Sequence, residues 1–309
     1  AFSFGEAFVG EGDEVIVTEA EHHSNIVPWQ MMCKRKGAVL KVLPVDETGH
    51  LRIELLDGLI SERTRIMAVT HISNVLGLIN PVGEIIELCH SRNVPVFVDG
   101  AQGAVHCKVD VQEMDCDFYA FSGHKLYAAT GTGVLYGKKK WLEAMPPYMG
   151  GGEMVGTVTF EETTYAPLPM KFEAGTQNLS STPTLKPALE VVNLLNNNEL
   201  TKNTDTIRDY LLEYFLKDER IRLYGVPRGT NEEKIPLFSF SVAGVHHEDL
   251  ALILDKMGIA VRSGQMCAEP LMNRFGVTGM LRVSFAPYNT VEEAEYFVKC
   301  LDRAIGMLM

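Results

Sequence analysis

Short apolar runs alternate with segments of helical periodicity as far as residue 136. The apolar runs predict strands at residues 14–18, 38–43, 65–70, 96–98 and 118–121, because strands buried on both faces of a parallel sheet are almost continuously apolar. Between them, apolar residues at helical spacing predict helices. This alternation predicts an α/β fold: a mainly parallel sheet with helices on both faces, and an antiparallel strand at residues 133–136.

The pattern changes towards the carboxyl terminus. Residues 146–181 are rich in Gly, Thr and Pro and predict a long irregular stretch, which in a compact domain is usually functional. Helices are predicted at 183–198 and 201–216, followed by strands at 221–224, 236–242, 259–261 and 280–285 and helices at 247–257 and 291–308. We therefore predict a large domain at residues 1–182, and connecting helices with a small α+β domain at residues 183–309.

Composition narrows the classes of function. The hydrophobic content of 46% and charged content of 22% are ordinary for a globular protein. A net charge of −12 argues against a nucleic-acid partner, and no apolar run reaches the ~20 residues that span a membrane. Six scattered cysteines without a C-x-x-C pair disfavour a metal site or disulfides and predict a cytoplasmic location. The amino terminus lacks a Met, and we expect the chain to begin partway through a longer protein.

Ionisable side chains follow two of the predicted strands. The run 96–98 ends in Asp99, and the run 118–121 ends in Ser-Gly-His followed by Lys125. Ligands of open α/β sheets bind at the carboxyl ends of strands. A lysine and an acid at two such ends predict a Schiff-base lysine and the acid that pairs with a cofactor's pyridinium nitrogen. The alternative interpretation is that these are ordinary strand ends with solvated charges. His22 and Asn74, which follow two further predicted strands, argue against that alternative.

Longer motifs carry a specific resemblance over nearly the whole chain. They are EHHSNIVPWQ (21–30), THISNVLG (70–77), VDGAQ (98–102), FSGHKLY (121–127), GGGEM (150–154), FEAGT (172–176), VRSG (261–264), CAEPLM (267–272), LRVSF (281–285) and YNT (288–290). In sequence and order the chain resembles the SUF-type (group II) cysteine desulfurases, within the class V branch of the pyridoxal-phosphate fold-type I enzymes.

The resemblance implies pyridoxal 5′-phosphate as cofactor. Lys125 would bond to it covalently and later move protons at the substrate's Cα. Asp99 would pair with the ring nitrogen and Gln102 with the ring oxygen, while His22 would stack on the ring. The other implied cofactor contacts are Asn74, Ser122, His124 and, across a homodimer, Thr176.

The resemblance also implies the reaction. Cys267 would take sulfur from L-cysteine as a persulfide and release L-alanine, while Asn74, Arg262 and Arg282 would orient the substrate carboxylate. Arg282 is the expected bidentate clamp, because a guanidinium matches a carboxylate. A sulfur-acceptor protein of iron–sulfur cluster assembly is the expected partner, and L-selenocysteine would undergo the same chemistry.

Two departures from the family keep alternatives open. Gln265 and Met266 stand where family members often carry histidine. The family's Gly-Thr-Thr segment, which would hold phosphate at a helix amino terminus, lies upstream of the first residue. The alternatives are another class V enzyme, such as an aminotransferase or a kynureninase, and an inactive truncated scaffold that docks sulfur carriers.

Overall fold

The structure is a computed structural model that describes residues 1–196 and 198–309. The strands of its larger sheet are β1 (Glu14–Thr18), β2 (Val39–Leu43), β3 (Thr64–Thr70), β4 (Val96–Asp99), β5 (Phe118–Ser122) and β6 (Gly133–Gly137). Their order is β2-β1-β3-β4-β5-β6. All adjacent strands run parallel except β6, which is antiparallel to β5. The predicted α/β fold is confirmed.

Helices pack on both faces of this sheet because successive side chains of a strand point to opposite faces. The helices in this part of the chain are α1 (Phe2–Phe8), α2 (Val27–Lys36), α3 (Leu56–Leu59), α4 (Val82–Ser91), α5 (Gly103–His106), α6 (Val111–Met114) and α7 (Lys139–Ala144). On β1, Val15 and Val17 share a core with Phe4 of α1 and Trp29 of α2. Ile16, between them, joins the core that contains α4 on the opposite face.

The stretch at 146–181, predicted to be irregular, contains a short hairpin. Its strands are β7 (Val155–Val158) and β8 (Thr163–Tyr165), which pair antiparallel. The hydroxyl of Thr159 accepts hydrogen bonds from the main-chain N–H groups of Glu161 (3.2 Å) and Glu162 (3.0 Å) and so shapes the turn. Most of the hairpin is exposed. It therefore lacks the apolar alternation by which a half-buried strand is predicted.

The remaining elements include a second sheet, most of which packs on a core of its own. They are α8 (Leu185–Leu195), α9 (Asn198–Lys217), β9 (Ile221–Tyr224), β10 (Leu237–Val242), α10 (His247–Lys256), β11 (Arg262–Gly264), α11 (Glu269–Phe275), β12 (Met280–Ser284) and α12 (Val291–Leu308). The strand order is β11-β12-β10-β9, antiparallel throughout. Phe215 of α9 and Phe297 of α12 pack on Phe238 and Phe240 of β10. A capping box of Thr290 and Glu293 begins α12.

One predicted strand of this region is misplaced. Residues 259–261 were expected to form it, but β11 begins at Arg262. The N–H of Ile259 bonds to the carbonyl of Leu254 and so closes the end of α10 instead of joining the sheet. Pairing with β12 starts where Arg262 lies opposite Arg282. Within the described ranges, no helix is both long enough and apolar enough to cross a bilayer.

Candidate active site

A cavity of about 520 Å³ lies at the carboxyl ends of β1, β3, β4 and β5. Most of the residues proposed from sequence line it, and they come from both sheets. These lining residues are His22, Asn74, Asp99, Gln102, Ser122, His124, Lys125, Arg262 and Arg282. Ligand sites in open α/β sheets occupy this position. Residues that are far apart in the sequence therefore lie together around one cavity.

Lys125 follows β5 in a short turn at Gly123–Leu126 and is partly buried in the cavity wall. Burial lowers the pKa of its ammonium group, and the positive charges of Arg282 and Arg262 lower it further, although Asp99 acts in the opposite direction. A lowered pKa increases the fraction of neutral amine, the form that attacks a carbonyl carbon. Lys125 therefore has the electrostatic setting of a nucleophilic lysine.

The turn that connects Asp99 to Gln102 requires glycine for reasons of space. A Cβ at Gly100 would lie 2.0 Å from Cε1 of Tyr119, which packs under the turn. The hydroxyl of Tyr119 is in turn 3.2 Å from Nδ1 of the buried His71. Oδ1 of Asp99 accepts a 2.9 Å hydrogen bond from the main-chain N–H of Ala101. This contact orients the carboxylate at the end of β4.

His22 is the aromatic side chain of the cavity wall that follows β1. Its Nδ1 lies 2.7 Å from the hydroxyl of Ser24 and accepts a 3.1 Å hydrogen bond from the N–H of the same residue. Burial lowers the pKa of His22, and the charge of Lys125 lowers it further. The imidazole therefore favours its neutral form, with its orientation set by Ser24.

Glu21 is a buried acid that sequence reasoning did not single out. Its carboxylate accepts hydrogen bonds from the hydroxyl of Thr18 (2.6 Å), the amide of Asn25 (2.6 Å) and the N–H of Thr70 (2.8 Å). Burial raises its pKa to about 8, with Asp99 contributing in the same direction. Glu21 thus joins the ends of β1 and β3 beneath the cavity. Its position in the sequence, after an apolar strand and immediately before His22, could have identified Glu21 as a residue near the site.

Cys267 lies on a strained turn beside the cavity. Both Met266 (φ 54°) and Cys267 (φ 57°) adopt the left-handed conformation, which costs a non-glycine residue of order 1–3 kcal/mol and persists only where surrounding contacts impose it. Here the amide of Asn74 donates to the carbonyl of Met266 (2.8 Å), and the N–H of His23 donates to the carbonyl of Cys267 (2.7 Å). The Cys267 Sγ lies 3.9 Å from Nη2 of Arg262.

Arg282 lines the cavity and carries one buried donor without a partner among the described residues. Its Nη1 donates a 2.7 Å hydrogen bond to the main-chain carbonyl of Asn74. Its Nε is buried, and no hydrogen-bond acceptor for it lies among the residues the structure describes. A buried donor left unpaired costs about 1–3 kcal/mol.

Thr176 is the predicted cofactor contact that the fold does not bring to the cavity. It is exposed, in the stretch after β8, and does not line the cavity with Lys125. The contact expected for it runs across a homodimer and stays a prediction. Cys267 does not line the cavity itself either, although its neighbours Met266 and Arg262 do.

Comparison with known proteins identifies the family. The model of the aminotransferase class-V family matches residues 1–297. The chain belongs to this family. Class-V members of this type depend on pyridoxal phosphate. The cysteine desulfurase of Cronobacter sakazakii (strain ATCC BAA-894) is 46% identical over 309 residues, which cover all of this chain and 75% of that protein. That of Escherichia coli O127:H6 is 45% identical with the same coverage.

Solved structures of class-V proteins agree with this assignment. The crystal structure of the cysteine desulfurase CsdA from Escherichia coli has a TM-score of 0.92 and 42% identity, over 99% of this chain and 76% of that one. The apo cysteine desulfurase from Thermococcus onnurineus NA1 has a TM-score of 0.90 and 31% identity, over 98% and 75% of the two chains. This chain thus spans about three quarters of the length of its class-V relatives.

Proposed function

We propose that this class-V protein is a pyridoxal-phosphate-dependent cysteine desulfurase, which converts L-cysteine to L-alanine and keeps the sulfur as a persulfide on Cys267. The observation that carries the proposal is the thiol beside the lysine cavity. The Cys267 Sγ lies 3.9 Å from the guanidinium of Arg262, and Arg262 shares the cavity with Lys125. Similarity to two cysteine desulfurases over the whole of this chain supports it.

The cavity's side chains fit pyridoxal phosphate. The charges of Asp99 and Lys125 are close enough to interact, so the acid would keep the ring nitrogen protonated while the lysine holds the aldehyde carbon. His22 would cover the ring and Gln102 would reach its oxygen. When bound, the cofactor supplies an electron sink for negative charge at the substrate's Cα. The remaining donors proposed for the cofactor are Asn74, Ser122 and His124.

The substrate carboxylate would bind at the arginine side of the cavity. Arg282 lines that side of the cavity, and a guanidinium holds a carboxylate through two parallel hydrogen bonds. Arg262 and Asn74 line the same side. With the carboxylate held there, the amine of Lys125 would move the proton at Cα, and the substrate sulfur would point towards Cys267.

Sulfur transfer needs a thiolate at Cys267. Its sulfur would form an S–S bond with the substrate sulfur as the substrate's Cβ–S bond breaks. The electron pair leaves with Cβ, which then takes up a proton to give alanine. Nη2 of Arg262, 3.9 Å away, would donate a hydrogen bond to the Cys267 sulfur before attack. L-Selenocysteine would follow the same course.

The proposal also covers the domain organisation, the oligomeric state and the sulfur acceptor of this protein. We propose that residues 1–182 and 183–309 form two units, on the basis of the two sheets and the separate core around α9 and α12. We also propose a homodimer in which the exposed Thr176 contacts the partner's cofactor phosphate. An acceptor protein of iron–sulfur cluster assembly in the cytoplasm would remove the sulfur.

Incubation with pyridoxal phosphate and L-cysteine tests the proposal. We expect alanine in solution and a persulfide on Cys267, both lost in Cys267→Ser. Cys107→Ser is the matched control, because Cys107 is also partly buried but packs against the cluster of Ile72, Ile235 and Leu237, whereas Cys267 lies beside Arg262. Full desulfuration by Cys267→Ser would contradict the assigned nucleophile. A keto acid with the amine form of the cofactor would indicate an aminotransferase, and a chain without cofactor absorbance would indicate an inactive scaffold.

A further inference from the structure

The imidazole of His23 spans the turn that carries Cys267. Its Nε2 accepts a 2.9 Å hydrogen bond from the main-chain N–H of Glu269, the first residue of α11. Its own main-chain N–H donates a 2.7 Å hydrogen bond to the carbonyl of Cys267. His23, which follows β1, therefore contacts the turn both at Cys267 and at Glu269.

The turn around Cys267 is also closed by a 3.0 Å hydrogen bond from the N–H of Ala268 to the carbonyl of Gln265, and Met266 is buried in the core. Met266 and Cys267 both have positive φ angles, and such a backbone relaxes unless its neighbours impose it. Asn74 restrains the side before the cysteine through the carbonyl of Met266. His23 restrains the cysteine and the side after it.

We propose that His23 is a positioning residue for Cys267, a role that rests on the proposed desulfurase function. By accepting from Glu269, the ring of His23 holds the turn in the conformation that keeps the Cys267 thiol beside Arg262 and the cavity. Nε2 can accept from Glu269 only in the tautomer that carries the ring proton on Nδ1. His22, the adjacent residue, lines the cofactor cavity. Consecutive histidines thus serve the cofactor side and the nucleophile side of one site.

The role is separable from folding. The helix α11 is anchored independently, because its side chains Leu271 and Met272 are fully buried in the core shared with the large sheet. His23 itself is only partly buried. Removing its acceptor therefore loosens the turn at 265–269 without detaching the helix.

Hydrogen–deuterium exchange of the full-length protein tests the contact directly, without turnover. In His23→Phe the ring has no acceptor, and we expect the Glu269 amide to exchange about tenfold faster than in the wild type, as the loss of one hydrogen bond predicts. In His23→Gln the side-chain oxygen can accept in place of Nε2, and we expect protection to return. His246→Phe is the matched control, because the ring of His246 also accepts from a main-chain N–H, that of Glu248, outside the cavity.

Kinetics provide the second measurement. We expect kcat for alanine formation to fall about tenfold in His23→Phe, with KM for L-cysteine and the cofactor absorption spectrum unchanged, and to recover in His23→Gln. Equal exchange and equal kcat in His23→Phe and the wild type would overturn the proposal, as would equal losses in His23→Phe and His23→Gln. A wild type that makes no alanine would refute the desulfurase function, while the exchange experiment would still decide whether His23 holds the turn.

Discussion

The side-chain amide of Asn74 donates a 2.8 Å hydrogen bond to the main-chain carbonyl of Met266, 192 residues further along the chain. The carbonyl of Asn74 itself accepts a 2.7 Å hydrogen bond from Nη1 of Arg282. A single residue after β3 thus contacts both the turn of the proposed nucleophile and the guanidinium proposed to hold the substrate. The positions of Cys267 and Arg282 are therefore coupled through Asn74.

Replacing Asn74 by aspartate should slow persulfide formation. A carboxylate cannot donate to the carbonyl of Met266 and repels it, so the turn loses one restraint at a cost of about 1–3 kcal/mol. We expect at least a tenfold lower rate of protein persulfide formation in single-turnover experiments, ~1.4 kcal/mol in the barrier. Asn203→Asp is the control, since the amide of Asn203 donates to the carbonyl of Asn289. Equal rates in both variants would contradict the coupling.

Arg282→Lys should weaken substrate binding more than it slows chemistry. Lysine keeps the positive charge but has no planar fork for a carboxylate, and the loss should be about 2 kcal/mol, ~30-fold in KM for L-cysteine. Steady-state kinetics measure KM for L-cysteine and kcat. Arg222→Lys on the exposed side of β9 should leave them unchanged. An unaltered KM in Arg282→Lys would remove Arg282 from the proposed carboxylate site.

Lys234 should make stability depend on pH. The lysine is fully buried and donates a hydrogen bond to the carbonyl of Leu76, and burial lowers its pKa to about 7. An unfolded lysine titrates near 10.4. Between these values the unfolded chain binds more protons than the folded one, so the free energy of unfolding rises with pH, by at most ~1.4 kcal/mol per unit.

Urea unfolding of wild type and Lys234→Met between pH 7 and 9 measures this contribution. The difference between the two proteins isolates the lysine from other titrating groups. We expect the wild type to gain stability relative to the variant as pH rises. The exposed Lys140→Met should follow the wild type. A constant or opposite difference between the wild type and Lys234→Met would show that the ammonium group stays protonated in the folded chain.

Two glycine substitutions should have opposite effects on stability. Gly100→Ala forces a Cβ to 2.0 Å from Tyr119, and overpacking of this kind costs about 1–3 kcal/mol. Gly83→Ala in α4 meets no atom within 4 Å and should gain about 0.5–1 kcal/mol from helix propensity. Urea titration measures both. Cofactor absorbance should fall only in Gly100→Ala, because Gly100 is adjacent to Asp99. An unchanged free energy of unfolding in Gly100→Ala would contradict the packing argument.

Local pattern was sufficient for the strands of the larger sheet and for most of the cavity. Apolar runs predicted the larger sheet because buried parallel strands need apolar side chains at nearly every position. The polar residues that follow those runs, among them His22, Asn74, Asp99 and Lys125, lie together because carboxyl ends of parallel strands meet at one edge. The helix α12 was predicted with its observed bounds, Val291–Leu308, because its apolar stripe repeats at helical spacing.

Only the tertiary structure decided how the second sheet completes the site. The contacts of Asn74 with Met266 and of His23 with Glu269 join segments about 200 or more residues apart, and periodicity within a segment carries no information on such pairs. The strand β11 begins three residues later than expected, because closure of α10 occupies the N–H of Ile259. Lysine is normally exposed, so the sequence gives no sign that Lys234 is buried, and only the tertiary packing buries it.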